Sequence, residues 1–401
     1  MGGEAPRGPG RYGALLRRPH VGSMFGWSIL ARMPVGMVPL ALILLVRDEG
    51  GSFGEAGVVV ASYALAVAVG SPYAGRRVDR RGPRRVLVPR GLAYPAFLLV
   101  AVALALAGAP ALALAPVAAA AGVTLPPVAA TLRTLLPRLV SGDLLSAAYS
   151  LDAVLQEVFF IGGPLLVALL ALLTPKAALV GAAAAAAAGT LGFVRLGPVA
   201  SAVPVERGHD RRFGAIGFAG MRTIVLLAVS WGLAFGVIEV ATPAFAEQHG
   251  TRALAGVALA AFSAGSLVGG VVAGMRAVPD ERRRLLVAAA FLAAFLALPV
   301  AATSIPTYCV LIFFAGMPIA PGVAAAYGLV GKVVVSGSHA EAFAWIGTAV
   351  STGIATGAAA GGWLVDGAGV RVALATGSAA AAVGFTSCLL RRRTLRPLGV
   401  A

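Results

Sequence analysis

Arg32 and Glu157 each lie roughly ten residues inside a long apolar stretch, at 22–46 and 147–172 of this 401-residue sequence, which at 1.5 Å per helical residue is about 15 Å deep. That depth is close to the middle of a bilayer. An ionisable group there costs at least ~2.5 kcal/mol on insertion scales, so such residues are read as functional. Opposite charges at one level can pair, and a carboxyl group so placed can take up and release a proton. Arg32 and Glu157 are therefore expected to face each other, with Glu157 as a proton carrier. Gln156 adjoins Glu157. Glu239 falls late in a further stretch at 219–243, where it could bind substrate or a proton. Tyr63 and Trp231 lie mid-stretch and offer aromatic surface to an apolar pocket. Arg133 and Asp152 share a shallower level and read as a second, structural ion pair.

The elements that must position these residues are membrane spans. The chain is 59% hydrophobic and 12% charged, against about 25% charged for a soluble domain. Stretches long enough to cross a bilayer occur near 22–46, 55–75, 86–107, 111–132, 147–172 and 177–196. A charged segment at 197–217 follows, and then six more stretches near 219–243, 254–275, 285–303, 307–331, 341–364 and 372–390. We number these spans 1 to 12. The first reads as a transmembrane helix and not a cleaved leader, because no small-residue cleavage site follows it. The expected fold is an all-α membrane protein of twelve transmembrane helices in two pseudo-symmetric six-helix bundles. Residues 1–197 form the first bundle, 198–217 a cytoplasmic linker and 218–401 the second.

The charge distribution tests that count. With the N-terminus in the cytoplasm, 27 of the 32 basic residues fall in loops and tails on the cytoplasmic side. Only Arg47, Lys176, Arg252 and Arg371 fall on the other, and Arg32 lies within span 1. Basic loops stay inside, and a miscounted span would exchange the sides of every later loop. The formal net charge of +16 is thus a topology signal, and no nucleic-acid partner is expected. Both termini are placed in the cytoplasm. The heavy use of Ala, Gly and Arg points to a bacterial chain in the inner membrane. Cys309 and Cys388 sit inside apolar stretches and imply no disulfide. The four histidines (His20, His209, His249 and His339) lie outside the spans and far apart. Neither a metal nor a cofactor is expected, and a membrane-embedded enzyme is disfavoured.

Between spans 2 and 3 the sequence reads Gly75-Arg-Arg-Val-Asp79-Arg80-Arg-Gly82-Pro83-Arg84-Arg85. Gly75 and Gly82 would permit a tight reversal, and Asp79 is an anion among arginines. This segment resembles the G-x-x-x-D-[RK]-x-G-[RK]-[RK] signature of the major facilitator superfamily, with Pro83 in a usually basic position. The resemblance implies the major facilitator fold. It also implies that Asp79 faces the start of span 11, where Ser338 and Glu341 have capping-box spacing. A helix N-terminus attracts an anion, so Asp79 would latch the halves together until they rock apart. Gly274–Arg284 reads as a degenerate copy in the second half.

Gly353, Gly357 and Gly361 repeat every four residues in span 11, and span 8 carries Gly265 and Gly269. Such faces allow close helix approach. The resemblance places spans 2 with 11, and 5 with 8, where the halves meet. Gly163-Pro164 in span 5 is similar to the core of a drug/proton antiporter signature, although Phe159 and Ala168 occupy positions where glycine is usual.

The function expected is secondary active transport by rocker-switch alternating access, as a proton-coupled exporter of small hydrophobic or amphiphilic compounds, acting as a monomer. An uptake permease for a sugar, amino acid or organic acid is the alternative. The spans offer few Asn, Gln or Lys groups for a polar cargo, which favours export. A sensor or scaffold with the same fold is a third reading. The sequence has no G-x-x-x-x-G-K-[ST] nucleotide loop, so an ion gradient is the expected energy source.

Overall fold

A computed structural model of the chain describes residues 10–140, 142–201, 215–274, 280–334 and 339–396. The side chains of Asp79, Glu157 and Glu341 lie outside the described residues, as does Ser338. Among the described residues the regular secondary structure is all helical. Ten runs are long and apolar enough to cross a membrane: Val21–Asp48, Phe53–Val78, Pro83–Leu106, Ala111–Leu136, Pro175–Arg195, Ala219–Gln248, Leu254–Ala273, Glu281–Ala301, Ile305–Val330 and Val370–Leu390. The 30-residue helices Gly142–Ala171 and His339–Ala368 supply spans 5 and 11. Twelve helical passes result. Their outer faces carry exposed apolar side chains such as Val69, Leu106, Leu169, Trp363 and Val383, as a lipid-facing surface requires.

Two passes are each built from two α-helices. Span 4 runs as Leu114–Thr124 and then Val128–Leu139, broken at Leu125-Pro126-Pro127. Proline has no N–H to give, so carbonyls of the preceding turn lose their helical donors. Arg90 of span 3 supplies replacements, with Nη1 donating to Val123 O (2.7 Å) and Leu125 O (3.0 Å). Span 10 breaks likewise at Met317-Pro318, between Ile305–Gly316 and Ile319–Val333.

The glycine-arginine segment between spans 2 and 3 departs from expectation. The span 2 helix continues through Gly75, Asp79 and Arg80 to Arg81. The reversal is made at Gly82 alone, whose φ of 80° is a region closed to most side chains. Pro83 then opens the next helix, where its missing N–H costs nothing. Gly75 takes no part in the turn. Arg80, Arg84 and Arg85 are exposed.

Helix packing follows the small residues, but along other faces than those expected. A Cβ on Gly353, Gly357 or Gly361 would strike the backbone of span 7 at Val229, Leu233 and Val237. These glycines pack inside the second half and do not face span 2. Gly265 and Gly269 similarly lie against Phe313 and Met317 of span 10. Gly163 abuts Gly36 of span 1, inside the first half. The row one residue round from Gly357 meets the other half: Ala358 lies on Gly57, and Gly362 on Phe53 and Gly54. Gly256 of span 8 meets Pro164 of span 5. A helix turns 100° per residue, so adjacent rows of small residues serve different neighbours.

Candidate functional site: a buried polar line between two helix bundles

Asp152, one turn and a half before Glu157 on span 5, is the centre of the polar cluster. It is 2% exposed, and both its oxygens are used. Arg32 Nη1 donates to Oδ1 at 2.5 Å, and Arg133 Nε donates to Oδ2 at 2.6 Å. Arg32 is buried, and its guanidinium also lies over the Phe159 ring, 4.7 Å from the centroid. Removing charges from water is offset by opposite charge and hydrogen bonds, and the shared carboxylate supplies both to the two arginines. Asp152 is thus a partner of Arg32, and the pairing expected with Glu157 falls on a side chain outside the described residues. Gln156 is half-buried, its Oε1 3.5 Å from Arg133 Nη2.

Deeper in the molecule, Tyr63 is buried and its hydroxyl lies 3.0 Å from that of Tyr94 on span 3. Glu239 stands on span 7, in the other half. Its Oε2 is shielded from solvent and has no hydrogen-bond partner among the described residues. A carboxylate left without partners in a dry site is costly; a bound proton or cation relieves the cost. Trp231 is buried against Gly322 of span 10. It is a core residue. Cys388 is buried and Cys309 half-buried, both as free thiols.

At the arginine-poor end the two halves are bolted together. Arg47 closes span 1 and Glu247 closes span 7, and they form a two-pronged pair through Nε (3.1 Å) and Nη2 (2.6 Å). Arg47 also donates to Gly51 O and lies over the Phe53 ring. Arg252 adds a bond to Glu247 at 2.8 Å. Asp366 of span 11 accepts from Phe53 N (3.1 Å) and Gly54 N (2.5 Å), so it caps span 2 from the opposite half. An anion at a helix N-terminus gains from both the free N–H groups and the dipole. Hydrogen bonds join described residues of the two halves at this end. The expected latch between Asp79 and the start of span 11 falls on side chains outside the described residues.

The sequence reading missed Tyr94, Arg90, Asp366 and the Arg47–Glu247 pair. One signal pointed to the last: Arg47 precedes Gly50 by three residues, as Glu247 precedes Gly250, and both glycines have positive φ (82° and 88°). The pair thus joins corresponding positions of two repeats.

The family model described as Major Facilitator Superfamily matches residues 24–278 and again 224–399. Among solved structures, the nucleoside transporter NupG superposes with a TM-score of 0.73 at 12% identity, covering 92% of this chain and 98% of that one. A bacterial homologue of the human lysosomal transporter Spinster, in an inward-facing and occupied conformation, gives 0.71 at 13%, covering 98% and 100%. A bacterial homologue of the iron transporter ferroportin, in an inward-facing state, gives 0.67 at 15%, covering 92% and 98%. No curated protein matches the sequence.

Proposed function

The chain belongs to the Major Facilitator Superfamily and is a membrane transporter, not an enzyme, and from that premise we propose that it is a proton-coupled exporter of small amphiphilic compounds. One observation carries the reading. The halves are held by hydrogen bonds at the arginine-poor end, while the polar cluster around Asp152 lies toward the arginine-rich end. Basic loops face the cytoplasm. On that orientation, with both termini inside a bacterial inner membrane, the chain is closed to the outside and would load from within. Two similar proteins are themselves inward-facing. Closure by a few exposed ion pairs and caps is weak enough to reverse, as rocking of the two bundles demands.

Coupling to protons is supported by Glu239, whose shielded Oε2 has no hydrogen-bond partner among the described residues. Glu157 remains a second carrier to be tested beside it. The scarcity of Asn, Gln and Lys within the spans suits a hydrophobic body better than a polar one. The boundaries proposed for the halves, 1–197 and 218–401 about a cytoplasmic linker, place one repeat of the fold in each, acting within a single monomer.

The test is accumulation of a panel of radiolabelled and toxic compounds in cells with and without the protein. Export predicts lower accumulation and higher resistance for some amphiphiles, both lost when a protonophore collapses the gradient. Raised accumulation, or a protonophore-insensitive effect, would sink the reading.

A further inference from the structure

His249 follows the last residue of the span 7 helix, Ala219–Gln248, at the arginine-poor end. Its imidazole lies between two carbonyl oxygens. Nδ1 is 2.8 Å from Phe245 O, and Nε2 is 3.1 Å from Thr303 O. A carbonyl oxygen only accepts, and a neutral imidazole has one N–H to donate where the imidazolium has two. Both contacts are therefore hydrogen bonds only when the ring is charged. Two further features favour that charge. The ring stacks on Phe245, with centroids 4.2 Å apart and planes at 25°, and a cation gains from an aromatic face. Phe245 O belongs to the last turn of the helix, where the dipole is negative. His249 is exposed, so it exchanges protons with solvent.

The contact with Thr303 ties the end of span 7 to the turn that precedes span 10. Phe245 also stacks on Tyr308 of span 10, with centroids 4.4 Å apart, and the Tyr308 hydroxyl lies 2.9 Å from that of Thr242. Glu247, which holds Arg47 of the other half, is two residues before His249. Pro243 sits inside the same helix one turn earlier. It has no N–H, so the Glu239 carbonyl loses its helical donor and the helix bends more easily there. The segment carrying Glu247 thus has a soft joint at its root and His249 at its tip. The charges around the ring are Glu247 on its own helix, Arg252 in the following turn and Arg47 on span 1, which are joined to one another. Residues 302–304 bring no ionisable side chain, span 10 brings Tyr308, and Arg371 at the start of span 12 is exposed. Asp366 caps span 2, and Asp48 is held by Lys176. The residue before Gly50, equivalent to His249 in the first half, is Glu49, also paired with Lys176 at 2.5 Å. Only the second half has a histidine at this corner, and histidine changes charge between about pH 5 and 8.

We propose that His249 is a pH-sensitive pin on the closed end of the molecule. Protonated, it fastens the end of span 7 to the 302–304 turn and presents Glu247 to Arg47. Neutral, it gives up one of its two bonds, and the end of span 7 can swing away from span 1. The closed state is therefore favoured as pH falls and loosens as pH rises through the histidine range, about pH 5 to 8. Protonation of the carboxylates at this end would act the other way, since Glu247 and Asp366 hold the halves as anions. Such a pin acts whichever way cargo moves.

The experiment measures the distance between spin labels on Leu173→Cys and Val372→Cys, exposed residues at the closed end of the two halves. The full-length chain is held in lipid nanodiscs, with Cys309 and Cys388 replaced by alanine. All chains carry Glu239→Gln, so that titration of the proposed carrier does not contribute. With His249 intact, the ratio of separated to close labels should rise by roughly two- to tenfold from about pH 5.5 to about pH 8, the worth of one hydrogen bond. His249→Phe keeps the stack and loses both bonds, and should be as open at the acid end as the parent chain is at the alkaline end. His249→Arg stays charged and should remain closed throughout; it carries the test if the Phe variant does not fold. No change with pH in the parent, opening toward acid pH, or the parent's pH dependence retained in both variants would overturn the proposal.

Discussion

Asp152 is the residue on which the first half depends most. It neutralises Arg32 and orients Arg133 at once. Asp152→Asn leaves two guanidiniums facing a neutral amide, one of them buried. Breaking one side of a buried pair costs about 3–5 kcal/mol. The variant should unfold at a markedly lower temperature, whereas Arg133→Lys should lose much less; equal unfolding temperatures for Asp152→Asn and wild type would refute the account. Glu239 should behave in the opposite way. Its Oε2 has no partner to lose, and a neutral amide is cheaper to bury than a charge. Glu239→Gln should keep or slightly raise thermal stability while abolishing the response of transport to an imposed proton gradient. A variant that transports with the wild-type gradient dependence would exclude Glu239 as the carrier. At this scale the sequence showed which residues are costly, since charges inside apolar stretches stand out by type. It did not show their partners. Arg32 could reach either carboxylate of span 5 by depth, and the structure joins it to Asp152.

Helix faces made of small residues serve two purposes, and glycine substitutions separate them. Gly36 packs on Phe159 and Gly163 within one half, a contact that persists however the halves move. Gly57 packs on Ala358 of the other half, at the end held closed. Added bulk at Gly36 should lower the unfolding temperature. Added bulk at Gly57 should spare the bundles and push the halves apart at the arginine-poor end, as seen by labelling of single cysteines placed near residue 50. If Gly36→Val and Gly57→Val give the same pattern in both measurements, the two classes of contact are not distinct. The four-residue spacing of Gly353, Gly357 and Gly361 was legible in the sequence. Their partner was not, because a row of glycines says that something comes close without saying what. Span 7 fills that place, and the neighbouring row at Ala358 and Gly362 meets span 2.

For the molecule as a whole, the closed end turns on the Arg47–Glu247 pair, which joins equivalent points of the two repeats. Both side chains are about one-fifth exposed, so the pair is screened by solvent and modest in strength. Arg47→Glu alone sets two carboxylates against each other and should favour the outward-open state. The exchange Arg47→Glu with Glu247→Arg should restore much of the closure, the non-additivity expected of touching residues. Distances between spin labels at the ends of spans 1 and 7 report both. A double variant as open as the single one would show that the pair does not hold the gate. Twelve helices and their arrangement in two bundles were legible in the amino-acid sequence by itself, since a bilayer forces each crossing to be a long apolar helix and basic loops mark one side. Which residues meet across the bundles was not, because those contacts join segments about 200 to 310 positions apart, such as Arg47 with Glu247 and Gly54 with Asp366. Lipid constrains each crossing locally and so leaves its imprint along the chain. Contact between halves depends on rotation and register of whole helices, which only the packed structure sets.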